Sequence, residues 1–191
     1  LGGSGSVTVY ASDWAAGNTA PTKTLAGSTT QLAGPDELGV DSTGALYVAN
    51  RTDDSVTVYA SGWADGDTAP TKALSGVGTG LSTPRGLALD SGDTLYVANR
   101  GNSSVTVYSS GWAAGATAPT KSLSGSATQL DDPVGLAIDS SGGLYAVNEG
   151  ASSVTVYASG WADGATAPTK ELAGAATGLD GPSWVVPDSA R

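Results

Sequence analysis

Four tryptophans stand 49 residues apart in this chain, at Trp14, Trp63, Trp112 and Trp161. Lys23, Lys72, Lys121 and Lys170 keep the same interval, as do Pro35, Pro84, Pro133 and Pro182, and Asp41, Asp90, Asp139 and Asp188. No insertion breaks the register, and residues 55–103 match residues 104–152 at 31 of 49 positions. Such a chain stacks one supersecondary unit several times, because a single unit of this size cannot bury its own apolar face. The units run approximately 6–54, 55–103, 104–152 and 153–191, within one domain spanning 1–191.

Each unit reads as four short strands. In the second, "SVTVYAS" (Ser55 to Ser61) alternates apolar and polar positions and is rich in β-branched residues, which is strand period. A Gly/Asp-rich loop carrying Trp63 leads to "APTKALSG" (Ala69 to Gly76), a strand opened by Pro. "RGLALD" (Arg85 to Asp90) is continuously apolar and predicts a strand buried on both faces. A Gly-containing turn then gives "TLYVAN" (Thr94 to Asn99). Four antiparallel strands per repeat of this length predict a β-propeller blade, with "GLALD" innermost, "TLYVAN" second, "SVTVY" third and "APTKALSG" outermost. The expected fold is all-β: a small four-bladed propeller whose last blade is composite and one strand short. At the outer edge, Pro70 beside Lys72 reads as a guard against stray strand pairing, since Pro lacks a donor and Lys resists burial. An ordinary solvated Lys is compatible with the same pattern.

The 191 residues carry a formal charge of −10, so nucleic acid is repelled. The acid is almost all Asp, fifteen against three Glu, which suits turns. No apolar run approaches the roughly 20 residues that cross a bilayer, so membrane insertion is not expected. Cys is absent, which removes disulfides and thiolate chemistry, and His is absent, which removes the usual general base and the commonest metal ligand. Met is absent too, and the sequence starts at Leu1. Removal of a secretion signal would explain that start, so an extracellular or cell-surface location is the expectation.

"PRGLALDSGDTLYVANRGNSSVTVY" (Pro84 to Tyr108) resembles an NHL-type repeat, with its Pro-x-Gly, apolar strand ending in Asp, Gly turn, Tyr-Val-Ala strand and Gly-Asn. The "NSSVTVY…APTKSLSG" portion also resembles repeats of exported bacterial proteins of unknown role. The resemblance implies a propeller, a fold that hosts binding and catalysis alike. Enzymes of that family place His at metal or catalytic positions. With no His here, no catalytic, metal or cofactor residue carries across, and a non-enzymatic protein without cofactor is expected.

A strand count sharpens this. Third strands occur at Val7, Val56, Val105 and Val154, outer strands at Thr22, Thr71, Thr120 and Thr169, and inner strands at Leu38, Leu87, Leu136 and Val185. Second strands occur only at Leu46, Leu95 and Leu144, giving fifteen where four blades need sixteen. A closed ring would leave an apolar slot lined by unpaired backbone groups, each costing about 1–3 kcal/mol when buried. The expected remedy is a strand from another molecule, hence self-association, a filament being one form. Its interface would comprise Leu1, Gly2, Gly3, Val7, Val9, Trp184, Val185, Val186 and Pro187. A fragment of a longer propeller, or a three-stranded last blade, would account for the same count. Trp184 replaces a residue that is Gly86 or Gly135 elsewhere, and Pro187 replaces Leu89 or Ile138, so the terminal segment is not an ordinary inner strand.

Two surfaces could take a ligand. The loops carrying Trp14, Trp63, Trp112 and Trp161 could stack sugars, with Asp65, Asp67 or Asp163 bonding hydroxyls, which would make the protein a glycan-binding propeller. The competing reading is a repeated loop anchor. Asp65 and Asp67 are also spaced for a cation, but two carboxylates fall short of the six to eight oxygens Ca²⁺ needs. Asp41, Asp90 and Asp139 precede hairpin turns and read as turn-bonding residues. On the opposite face the repeats diverge: Asp36, Arg85, Val134 and Ser183 follow the Pro, while Arg51, Arg100 and Glu149 follow the Asn. A ligand on the axis would meet Asp36 and Arg85 first, and drift in solvated loops is the plainer reading.

Overall fold

A computed structural model describes residues 5–13 and 17–187, and it resolves the alternating runs into fourteen strands with no α-helix among the described residues. β1 (Val7–Val9) and β2 (Lys23–Leu25) form a two-stranded sheet. β3 (Pro35–Val40), β4 (Leu46–Asn50), β5 (Ser55–Tyr59) and β6 (Lys72–Ser75) make the first full blade. β7 (Pro84–Leu89), β8 (Leu95–Asn99), β9 (Ser104–Tyr108) and β10 (Lys121–Leu123) make the second. β11 (Pro133–Ile138), β12 (Leu144–Asn148), β13 (Ser153–Tyr157) and β14 (Lys170–Leu172) make the third. All neighbours are antiparallel, and each blade takes its inner pair from one sequence unit and its outer pair from the next. The all-β propeller architecture with the predicted strand order is the architecture observed.

The first strand of each blade faces the axis, and β7 packs directly against β3 and β11. These inner strands are only partly buried, contrary to the expectation for "RGLALD". The middle of the blade is the dry part: β4, β5 and β9 are buried along their whole length. Blades stack face to face, so the second and third strands are covered on both sides while the innermost lines a solvated axis. Gly86 and Gly135 permit the close approach of inner strands. A Cβ on Gly86 would lie 2.7 Å from the Val134 carbonyl, and one on Gly135 would lie 2.6 Å from that of Ser183.

Polar pins recur with the repeat. Tyr59 and Tyr157 hydroxyls donate to the Thr30 and Thr128 carbonyls, both at 2.5 Å, and Tyr108 donates to that of Thr79. The Asn50, Asn99 and Asn148 amides each donate to a Thr hydroxyl of the adjacent strand (Thr57, Thr106, Thr155) and accept a loop amide. Every buried side-chain polar atom among the described residues has a partner. That is what a buried polar group requires if it is not to cost stability.

The outer edge is closed by a device that the lysines gave little hint of. The Trp loop of each blade runs parallel to the outer strand of the preceding one, bridging Leu25 to Gly66, Leu74 to Gly115 and Leu123 to Gly164. The Gly66, Gly115 and Gly164 amides donate to the carbonyls of Thr24, Ala73 and Ser122 at 2.7–2.8 Å. Lys23, Lys72 and Lys121 donate to the carbonyls of Trp63, Trp112 and Trp161 at 2.7–3.0 Å, their ammonium groups 3.9–5.2 Å from the indole centroids. These lysines fasten blade to blade, so the reading of edge guards gives way to one of inter-blade clips.

The fifteenth strand does not form. Residues 182–187, expected as an inner strand around Val185, pair with no neighbour as a ladder. Pro187 removes a donor where Leu89 and Ile138 complete theirs, and Trp184 is too large for a Gly position. Trp184 and Val186 are exposed, Val7 is buried beside Leu25 and Tyr59, and Val9 is half-exposed. Leu1, Gly2 and Gly3 lie outside the described residues.

Candidate functional site

The loops that enter the inner strands and leave the second strands gather at one end of the axis. Three of the four arginines in the sequence, Arg51, Arg85 and Arg100, meet there. Arg85 Nε donates to Asp36 Oδ2 at 2.9 Å and its Nη1 to Glu149 Oε2 at 3.3 Å. Arg100 Nε reaches the same Glu149 oxygen at 3.2 Å, and its Nη2 lies 2.8 Å from Asp132 Oδ2. Arg51 stands 3.9 Å from Asp36. The chain of pairs runs Arg51, Asp36, Arg85, Glu149, Arg100, Asp132 and links all three full blades. Each member is partly exposed, so single pairs contribute little stability. The network's weight is positional: it holds three guanidinium groups at the mouth of the axis, two N–H donors of Arg85 being used of its five.

Glu37 sits beside this network. It follows Asp36 in β3, at the position where the second and third blades carry Gly86 and Gly135. Its Oε2 accepts the Leu87 amide at 3.0 Å and its Oε1 accepts Trp184 Nε1 at 3.1 Å. Burial pushes its carboxyl from an ordinary 4.5 up to about 7, against the pull of those two donors, and the neighbouring Asp36 charge adds to the rise. A carboxyl raised towards neutrality, one residue from the Asp36 that pairs with Arg85, marks Glu37 as a candidate reactive group.

Asp36 and Arg85 therefore come together where the repeats diverge. Glu37 was passed over as a reactive group. Its signal was present: Glu37 and Trp184 break the Gly pattern at one repeat position, three units apart, and they hydrogen-bond to each other.

The Trp loops sit on the rim. Trp112 and Trp161 are buried and Trp63 is half-buried under Lys23, while Trp14 lies outside the described residues. Asp65 and Asp163 accept the Thr24 and Ser122 amides of the preceding blade, and Asp67 accepts the amide and hydroxyl of Thr29. These side chains are spent on the seams between blades. Asp41, Asp90 and Asp139 each accept two turn amides, at 2.8–2.9 Å. Hydrogen bonds from Ser141 and the Gly143 amide hold the Asp139 carboxyl below the usual range. No group of three or more acidic side chains able to hold a metal occurs among the described residues.

Solved structures share this fold at low identity. Hydrazine synthase of Kuenenia stuttgartiensis superposes with a TM-score of 0.61 at 21% identity, over 85% of this chain and 42% of that one. Virginiamycin B lyase of Staphylococcus aureus gives 0.54 at 14%, over 73% and 41%. A candidate 6-phosphogluconolactonase of Bacteroides fragilis gives 0.55 at 19%, over 75% and 44%. The chain spans less than half the length of each. No curated protein matches it. Residues 3–122, more than half of the sequence, match the family described as "Lactonase, 7-bladed beta-propeller". The NHL resemblance is thereby corrected to a broader kinship among propellers. The expectation of a non-enzymatic protein, which rested on missing His and Cys, is overturned as well, for the family matched is one of enzyme-like propellers. By that match the chain belongs to the lactonase family of seven-bladed β-propellers.

Proposed function

We propose that the axial mouth hydrolyses a small cyclic ester, with Glu37 as general base and Arg85 as the stabiliser of developing negative charge. The observation that carries this reading is the Glu37 carboxyl, raised to about 7 beside the Arg85 network in a chain of lactonase kinship. A base with that affinity for protons is half-ionised at neutral pH and can both take and return a proton. In the reaction, the Glu37 carboxylate removes a proton from water as the oxygen attacks the lactone carbonyl. Negative charge moves onto the carbonyl oxygen, where remaining Arg85 N–H groups can donate to it. Collapse of the tetrahedral species breaks the ring C–O bond. The departing alkoxide takes the proton from Glu37, leaving a hydroxy acid and the original carboxylate. The hydroxy acid ionises to an anion, and Arg51 and Arg100 at the rim favour substrates that bear an anionic substituent.

The test is lactone ring opening followed by pH-stat on five- and six-membered sugar lactones, with and without a phosphate or carboxylate. Activity should rise with an apparent pKa near 7. Glu37→Gln should lower kcat by about 10²–10⁴, the range for a lost general base. Arg85→Met should lower it by about 10²–10³. Unchanged turnover in Glu37→Gln, with the fold intact, would remove the assignment.

A further inference from the structure

The seam between the first and second full blades and the seam between the second and third are built on matching residues. Asp41, Tyr47, Lys72 and Trp112 belong to one, and Asp90, Tyr96, Lys121 and Trp161 stand at the same repeat positions in the other. The first seam is shut. Tyr47 is buried, the Lys72 ammonium lies 3.9 Å from the Trp112 centroid, and burial pushes that ammonium below its ordinary value. Asp93 completes the closure, its carboxylate accepting the Ser42 amide at 2.9 Å and the Ser42 hydroxyl at 2.5 Å from the preceding blade. The second seam is looser. Gly142 occupies the position of Asp93, so no carboxylate is there to tie back Ser91, the counterpart of Ser42. Tyr96 is partly exposed, and the Lys121 ammonium stands 5.2 Å from the Trp161 centroid.

This looser seam holds a cleft of about 290 Å³, near the lower bound of roughly 300 Å³ for small-molecule sites. It lies beside Asp90, at the opposite end of β7 from Arg85, and is separate from the axial mouth. Two further exchanges between the seams fall in its lining: Thr94 stands where the first has Ala45, and Ser109 where it has Ala60. Each adds a hydroxyl, so all three exchanges open the cleft or make it more polar. The Asp90 carboxylate accepts the Gly92 and Thr94 amides at 2.8–2.9 Å and bonds the Tyr96 phenol, which burial and the Asp90 charge keep protonated. A carboxylate offers about four acceptor sites, so one is left. Lys121 spends one of its three donors on the Trp161 carbonyl at 3.0 Å and pairs with no carboxylate among the described residues. The hydroxyls of Ser109 and Ser159 stand exposed beside it, and Val107 and the Tyr96 and Trp161 side chains supply the apolar lining. Past Asp90 and Gly142 lies a second hollow of about 510 Å³, lined by Ser91, Ser140 and Asp139.

We propose that the cleft between the second and third full blades binds a neutral polyhydroxylated molecule, a sugar ring being the best match. Each sugar hydroxyl both donates and accepts, and the cleft sets donors of Lys121, acceptor capacity of Asp90 and hydroxyls of both kinds around one space. The apolar lining suits the C–H faces of the ring. Asp90 in the cleft and Asp139 beside it disfavour an anionic ligand, as does the chain's charge of −10. The adjoining hollow leaves room for a substituent or a second ring. This site is independent of the chemistry assigned to Glu37 and Arg85.

The experiment is an amide and indole NMR titration of the 191-residue chain with D-glucose, D-galactose and myo-inositol, and with glycine as a zwitterionic contrast. At least one of the three polyols should give saturable shifts at Thr94, Ser109, Gly142 and the Trp161 indole, with Kd of about 1 mM, and glycine should give none. Gly142→Asp installs the residue of the shut seam and should weaken binding about tenfold or more. The turn accepts Asp, since Asp93 holds a φ of 60° where Gly142 has 82°. Ser109→Ala, an exposed change that removes one hydroxyl, should weaken binding about threefold. Circular dichroism checks that both variants keep the blades. No saturable shift from any of the three polyols at about 50 mM, stronger shifts from glycine, or polyol binding indifferent to Gly142→Asp would each overturn the proposal.

Discussion

The interior of this molecule and its two ends are built from the same sequence and meet different fates. Leu25, Leu74 and Leu123 are sealed at 0% exposure while Leu172 stands 54% open, and Tyr59, Tyr108 and Tyr157 are sealed while Tyr10 is 49% exposed. Nothing local separates these copies, for each sits in the same "K-x-L" or "V-T-V-Y" context. Burial in a repeat fold is conferred by the neighbour, so the stability of each copy is largely an interface term. The four leucines give the largest test of that statement. Leu74→Ala or Leu123→Ala should cost about 2–5 kcal/mol, the range for a fully packed Leu. Leu172→Ala should fall within about 0.5 kcal/mol of wild type, as surface changes do. Urea melts at low protein concentration read both, and equal losses at the interior and terminal positions would break the comparison.

The tyrosines sharpen it at a smaller scale. Tyr108 donates its buried hydroxyl to the Thr79 carbonyl, and burial pushes its own ionisation up to about 12. Tyr108→Phe leaves that carbonyl without its phenol donor, a loss of about 1–3 kcal/mol. Tyr10→Phe, at the half-exposed end, should be close to neutral. Thermal melts of the two variants side by side separate the hydrogen bond from the ring, because Phe keeps the ring in both.

The fold was legible in the sequence because the repeat is exact in length: period-2 alternation set the strands, Gly and Asp set the turns, and the 49-residue interval set their stacking. Solvation along the blade was not. "RGLALD" looks like the driest segment, yet β7 borders the axis and the polar-sounding "SVTVY" of β9 is wholly buried. Apolar runs report which residues can be buried, and only the packing of blades decides which are. The inter-blade clips were hidden for a similar reason. Lys72 and Trp112 are 40 residues apart and belong to different units, so each looked like an isolated surface feature. At the axis, divergence among repeats singled out Asp36 and Arg85, and the two form an ion pair there. The raised carboxyl of Glu37 was missed because it depends on burial in the folded chain, which no local stretch of sequence displays. Reasoning from residue types also misjudged activity. The lack of His excludes one kind of proton transfer, but a carboxyl shifted by its surroundings can perform another.

The two ends do meet at the axis, and there the comparison becomes dependent on pH. Glu37 belongs to the first full blade and Trp184 follows the last, and the indole donates to the carboxyl at 3.1 Å. In the unfolded chain this carboxyl ionises near 4.5, and in the folded one near 7. Between those values the folded protein holds a proton that the unfolded chain has released. Stability from this group therefore falls as pH rises from 4.5 to about 7 and is level above that. Asp139, whose carboxyl is lowered by its turn bonds, acts with the opposite sign at the acid end, gaining stability as pH rises through its folded value. The net curve mixes both, so the informative quantity is the difference between wild type and Glu37→Gln, in which Asp139 and all other groups cancel. Gln keeps one oxygen, for either the Leu87 amide or the Trp184 indole, and turns its NH2 towards the other donor, a loss that does not vary with pH, and it has no proton to lose. The difference in calorimetric Tm between the pair should move steadily in favour of Gln from pH 4.5 to about pH 7 and then stay level, whatever constant offset the lost hydrogen bond gives. A gap that stays constant across this range would mean that Glu37 is already ionised at pH 4.5, and that the carboxyl joining the two ends is an ordinary one.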